Sequence, residues 1–330
     1  MEATLRTAVP ASISAARTRE TQPTPRRSFP GVRGARFFAA LLVVSYHLHW
    51  FDRDVTVSFF FVLSGFILCF SRVGQPKDFY QRRFLRIYPL YCLGLLLGVP
   101  GMIYHFNGLG VLFLAPLMLQ AWVPSLQLVW NGPGWSISCL AFFYLLMPLL
   151  ARNRIVTGIA VALLPLALCM PGAYSRLPLV NLPQFCVGVI GGLCFRQKAR
   201  ISWLIPAATC MAVVQFVPLP QIALHNGILA PLFLWLILSL TEIKSCPPWI
   251  VRLGDSSYAL IILHHPILFA FKAATHRASL PPLLAGIYLI VVIACSLLAF
   301  QYADPWLRAA FQRLLFAPMR GRLQRVELQA

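Results

Sequence analysis

The chain has 330 residues, 59% of them hydrophobic and only 11% charged, with a formal net charge of +19. Successive apolar runs punctuated by Arg, Pro and Gly exclude a soluble globular domain and describe a polytopic membrane protein. In a soluble chain such a charge would suggest nucleic acid. Here the Arg residues sit in tails and short loops, so the charge reads as orientation by cytoplasmic cations and no nucleic-acid partner is expected.

Residues 1–30 are rich in Ser, Thr, Pro and Arg without an apolar period, and read as a disordered basic cytoplasmic tail. A membrane domain then covers 31–305, and 306–330 form a second basic cytoplasmic tail. Candidate spans lie near 35–51, 55–71, 86–104, 135–150, 155–171, 180–196, 201–217, 223–241, 256–275 and 282–303. An eleventh apolar run, 111–123, falls short of the roughly 20 residues that a span needs. Charge parity decides its status. Arg72, Lys77, Arg82, Arg83 and Arg86 mark one loop; Arg152 and Arg154, then Arg196, Lys198 and Arg200, then Lys244 and Arg252, mark later ones. All of these share a side with both tails only if one run between Arg86 and Arg152 fails to cross. The 111–123 run, followed by Pro124 and Asn131-Gly132-Pro133-Gly134, is the natural one to lie in the interface or re-enter. The expected fold is therefore an all-α bundle of about ten transmembrane helices with both termini cytoplasmic. No repeat suggests the inverted halves of a transporter.

The nine cysteines fall singly, without a C-x-x-C pair, and read as small buried hydrophobes, not as a disulfide frame or a metal site.

Chemistry enters with the first apolar segment, where Arg36 and His47 flank FFAALLVVSY. Ionisable groups in lipid are costly unless they face a protein interior or a wet cavity, so they are functional candidates. Eleven residues make just over three turns, which puts both side chains on nearly one face about 16 Å apart. Imidazole is the side chain suited to taking a proton near neutrality. Arg83 and Arg86 are neighbours on a helix and suit a phosphate clamp.

Several stretches carry a family likeness: Gly31-Val-Arg-Gly-Ala-Arg36 to His47, Phe59 to Ser64-Gly65-Phe66, and Phe79 to Pro89 with Arg83 and Arg86 inside it. Trp135-Ser136 to Phe143-Tyr144, Ser257-Tyr258 to His264-His265-Pro266, and Asp304-Pro305 continue it. In this order the chain resembles acyltransferase family 3, bacterial membrane O-acetyltransferases that act on surface polysaccharides and related sugars. The resemblance implies ten helices in the bacterial inner membrane and no bound cofactor. It also implies acyl-CoA, expected to be acetyl-CoA, as co-substrate entering from the cytoplasm. The acceptor would be a hydroxyl of a glycan or glycolipid at the far side. His47 would be the general base, and Arg36, Arg83 and Arg86 would hold the donor's phosphates. His264, Asp52 and Ser136 are candidate supporting groups, Asp52 only if the first loop folds back. Ser64-Gly65 is expected to permit close helix approach, and Asp304 to act as a cap or an Arg partner. One departure stands out: where the family carries a glutamate before Phe-Tyr, this chain has Leu140. That substitution motivates an alternative expectation, a catalytically silent relative or a transporter of donor or glycan.

Overall fold

The computed structural model describes residues 28–51, 56–70, 76–105, 108–196 and 227–316, and every regular element among them is helical. In chain order these are α1 (Pro30–His47), α2 (Thr56–Leu68), α3 (Pro76–Leu97), α4 (Val99–Tyr104), α5 (Gly110–Leu114), α6 (Gly134–Arg152), α7 (Arg154–Ala162), α8 (Leu164–Leu168) and α9 (Pro178–Arg196). After them come α10 (Ala230–Leu240), α11 (Pro248–Asp255), α12 (Ser257–Thr275), α13 (Pro282–Leu298) and α14 (Asp304–Phe311).

Among the described residues, four helical stretches are long and apolar enough to cross a membrane: Gly134–Arg152, Pro178–Phe195, Ser257–Thr275 and Pro282–Phe316. Thr56–Leu68, Arg154–Ala167 and Ala230–Leu240 are apolar but shorter. At 1.5 Å per residue α2 is only about 20 Å long, so several runs that look like spans in sequence include turn residues. The 155–171 run breaks at Leu163, with Pro165 in the first turn of α8. The expected 86–104 span instead starts at Pro76 and divides at Gly98 between α3 and α4. The 201–217 span and the start of the 223–241 span lie outside the described residues. The last span does not end at Ala303: a π-helical turn over Ala299–Ala303 carries the chain into α14.

The 111–123 run does not form a crossing helix. It is a five-residue helix followed by turns, and side chains satisfy part of its irregular backbone. Tyr91 donates to the Ala115 carbonyl at 2.8 Å and Ser138 to that of Met118 at 2.6 Å. Gln120 donates to the Tyr91 hydroxyl at 2.9 Å, and Asn131 to the Ile262 carbonyl at 3.0 Å.

Packing is closest between α2 and α9. A Cβ on Gly65 would lie 2.1 Å from the Phe185 carbonyl oxygen, and one on Gly188 would lie 1.9 Å from that of Val62. Backbone meets backbone there, as the Ser64-Gly65 pair leads one to expect. Phe29, just before α1, is buried against Phe66, Phe70 and Phe195, with ring centroids 5.4 to 5.9 Å away. It fixes the entry of α1. The short α11 packs along the start of α1, where a Cβ on Gly254 would clash at 1.7 Å with the Arg33 carbonyl oxygen. Arg33 clasps Asp255 with two donors, Nε to Oδ1 at 2.9 Å.

Candidate active site

α1, α2, α3, α6 and α12 surround a cavity of about 570 Å³. α12 lines it with Ser257, Tyr258, Ile261, His265, Leu268 and Lys272, one face of a helix at 3.6-residue spacing. α1 supplies Arg36 near one end and His47 near the other.

Arg36 is half-buried and has no ion-pair partner among the described residues. Arg86 lines the same end. Its Nη1 lies 3.9 Å from Oδ2 of Asp304, a carboxylate already held bidentately by Arg308, with Nε at 2.8 Å from Oδ1. A contact that long leaves most Arg86 donors available to a ligand. Asp304 is thus an Arg partner inside a continuing helix. Arg83 is placed differently. It does not line the cavity, and its guanidinium lies over the Phe79 ring, 5.6 Å from the centroid.

At the other end, His47 Nδ1 lies 2.9 Å from the Val43 carbonyl oxygen. A carbonyl can only accept, so in the neutral ring Nδ1 carries the hydrogen and Nε2 carries the lone pair. That arrangement suits a base. The His47 ring is 4.9 Å from that of His264 and 6.0 Å from that of His265. His265 lines the cavity, whereas His264 is fully buried behind it. His264 Nδ1 lies 2.9 Å from the Ile261 carbonyl oxygen, and its Nε2 meets no partner. Of the two neighbours, His264 is the nearer to the His47 ring and His265 is the one that lines the cavity.

Ser136 lines the cavity while donating to the Pro133 carbonyl at 2.8 Å. Leu140 faces the cavity from α6, with Tyr144 one turn on. Asp52, like Arg72, lies outside the described residues. The lining also holds two cations that no sequence pattern singles out, Arg176 and Lys272, and it includes His49. No carboxylate lines the cavity among the described residues, and no metal-sized group of His, Cys, Asp or Glu occurs among them.

The arrangement can do two things. Its Arg36–Arg86 end can hold an anion, and its His47 end can accept a proton.

The family profile described as an acyltransferase domain (Acyl_transf_3) matches residues 29–301. The chain is similar to a protein named acyltransferase MdmB, from Streptomyces mycarofaciens. The two are 26% identical over 371 aligned positions, covering 86% of this chain and 93% of that protein. No solved structure matches it significantly.

Proposed function

The chain belongs to acyltransferase family 3 and is an integral membrane acyltransferase; from that premise we propose that it moves an acetyl group from acetyl-CoA to a hydroxyl of a carbohydrate or cell-surface glycan. The observation that carries this reading is that Arg36, Arg86 and His47 line one cavity, cations at one end and imidazole at the other.

Arg36 and Arg86 take the donor's phosphates through charge-assisted hydrogen bonds, and the thioester points along the cavity toward His47. Arg83, whose guanidinium lies over the Phe79 ring, is not among the cavity-lining residues and is given no donor contact in this reading. The acceptor oxygen forms a bond to the thioester carbonyl carbon as its proton passes to His47 Nε2. The C–S bond breaks, and the sulfur leaves as thiolate and recovers that proton from the imidazolium. Ester and free CoA thiol are the products, and His47 returns to its starting state. Positioning supplies the rest, so no acyl-enzyme is needed.

The proposed setting is a ten-span bundle in the bacterial inner membrane, with both tails and the Arg36–Arg86 end cytoplasmic and the acceptor arriving at the His47 end. Purified full-length protein in lipid nanodiscs should release thiol from acetyl-CoA and place the acetyl group on a glycan acceptor. Absence of thioester turnover above empty discs, with properly folded protein and a panel of glycans, would overturn the reading.

A further inference from the structure

Two cations in the cavity have no task in the reaction just described. Arg36 and Arg86 serve the donor, but Arg176 and Lys272 also line the chamber. Arg176 lies in the turn before α9, and Lys272 lies about two turns beyond His264 on α12. Under the proposed topology both sit at the end facing away from the cytoplasm, where short segments are ordinarily poor in Lys and Arg.

Neither cation is neutralised by its described surroundings. The Arg176 guanidinium lies over the Trp135 ring, 5.8 Å from the centroid, and its buried Nε has no hydrogen-bond partner. Among the described residues no carboxylate pairs with Arg176 or Lys272. The charged groups of the described lining are four cations, Arg36, Arg86, Arg176 and Lys272, without an anion. Buried or half-buried charge of one sign, left unpaired, is costly unless a ligand supplies the other sign.

There is also room for a ligand beyond the acyl group. A second cavity of about 680 Å³ adjoins the first and shares His265 and Lys272 with it. Its wall carries Tyr104, Trp130 and Phe269, the aromatic surface on which an amphipathic ring can rest. Trp130 is fixed there: its indole N–H donates to the Leu95 carbonyl at 2.7 Å, and its backbone is left-handed at φ 73°. That conformation is costly for a bulky residue and persists only where the surroundings enforce it.

We infer that the acceptor is anionic, a sugar or glycan bearing a phosphate or carboxylate that Arg176 and Lys272 hold while its hydroxyl meets His47. This rests on the acyl-transfer reading of the same cavity. It adds the charge of the acceptor and the two residues that select it.

The test is a binding titration of full-length protein in phosphatidylcholine nanodiscs, with and without saturating CoA. The probes are glucose 6-phosphate, glucuronate and glucose. Both charged sugars should bind at least tenfold more tightly than glucose, because a lost charge-assisted contact typically changes affinity by roughly tenfold or more. The double variant Arg176→Gln, Lys272→Gln should abolish that preference, and Arg36→Gln, Arg86→Gln should preserve it. Equal binding of the three sugars, or a preference that survives the first double variant, overturns the inference. So does loss of glucose 6-phosphate binding when phosphatidylglycerol enters the discs, since the two cations would then be lipid-headgroup anchors. If the double variant fails to fold, as judged by its CoA binding, Lys272→Gln alone at its half-exposed position decides. Intact CoA binding and acetyl turnover with no preference for charged sugars would leave the acyltransferase reading standing with a neutral acceptor.

Discussion

Replacing His47 with Ala separates catalysis from stability. The ring is half-buried on a cavity of about 570 Å³, so truncation widens an existing space and does not open a closed void in the core. What the fold loses is one hydrogen bond, from Nδ1 to the Val43 carbonyl at 2.9 Å, and that oxygen remains the acceptor of a helical N–H. A neutral bond of this kind contributes about 1 kcal/mol net. A general base contributes roughly 10²–10⁴-fold in rate, equivalent to about 3–5.5 kcal/mol of activation free energy. The variant should therefore insert, purify and melt almost like the parent while its turnover falls by two orders of magnitude or more. Thiol release from acetyl-CoA in nanodiscs and a fluorescence melt on the same sample measure the two quantities. Turnover within threefold of the parent would refute the assignment of the base. A loss of turnover that merely follows a loss of folded protein would refute the claim that the ring is dispensable to the fold.

Arg36→Gln and Arg86→Gln should each weaken acyl-CoA binding by roughly tenfold or more, and Arg83→Gln by less than about threefold, because Arg83 lies over Phe79 outside the cavity. Arg86→Lys should recover only part of the loss, since the planar fork is gone; equal effects at all three positions in a titration would remove the cavity end from the account of the donor. Gly188→Val should abolish folded protein on size-exclusion chromatography, because its Cβ would meet the Val62 carbonyl oxygen at 1.9 Å. Gly158→Val, with nothing within 4 Å, should not, and a normal Gly188→Val profile would contradict the packing of α2 on α9. Leu140→Glu puts a carboxylate into a cavity whose described charged lining is wholly cationic, so attraction offsets its desolvation, and turnover should rise; folded protein that gains nothing would show that Leu140 does not mark a lost supporting acid. Reporter fusions at residues 107 and 128 should report the same, non-cytoplasmic side, and opposite readings would show that the run between them crosses.

The sequence already displays the pair that spans the cavity, because a charge inside an apolar run is too costly to keep unless it faces a wet chamber or a partner. Arg36 and His47 share a face by helical arithmetic alone. The same arithmetic cannot place Arg83. A step of three residues turns about 60° short of a full circle, enough to send Arg86 to the cavity and Arg83 onto Phe79. Nor can it choose between His264 and His265, about 100° apart on α12; packing of that helix against α1 and α13 makes the choice. Arg176 and Lys272 look in sequence like ordinary charges near the ends of membrane helices, and only the structure reveals that they line the same cavity as His47. Helix lengths are obscured for a related reason. Apolar turns such as the one around Leu163 are as hydrophobic as the helices they separate, so composition merges what backbone geometry divides.

The absence of a glutamate at Leu140 has a physical counterpart in α1 itself. A base of this kind needs an acceptor on Nδ1 so that the lone pair stays on Nε2. In this chain the Val43 carbonyl fills that role from one turn back on the same helix. A carbonyl fixes the tautomer as a carboxylate would, but it brings no full negative charge to face the imidazolium formed during transfer. On the proposed reading that charge comes from the reactants, first on the attacked carbonyl oxygen and then on the departing sulfur. The cavity's charge points the same way: its described lining holds four cations and no carboxylate, and only Arg86 reaches a described protein anion, Asp304 at 3.9 Å from outside the lining. On the proposed reading the donor's phosphates answer Arg36 and Arg86, and on the further inference an anionic acceptor answers Arg176 and Lys272. If Leu140 marks a lost glutamate, its task has then moved from the protein to its substrates. An anionic acceptor also brings its charge into the chamber alongside the reacting hydroxyl, so a chain built this way discriminates against neutral acceptors through electrostatics before any shape is read.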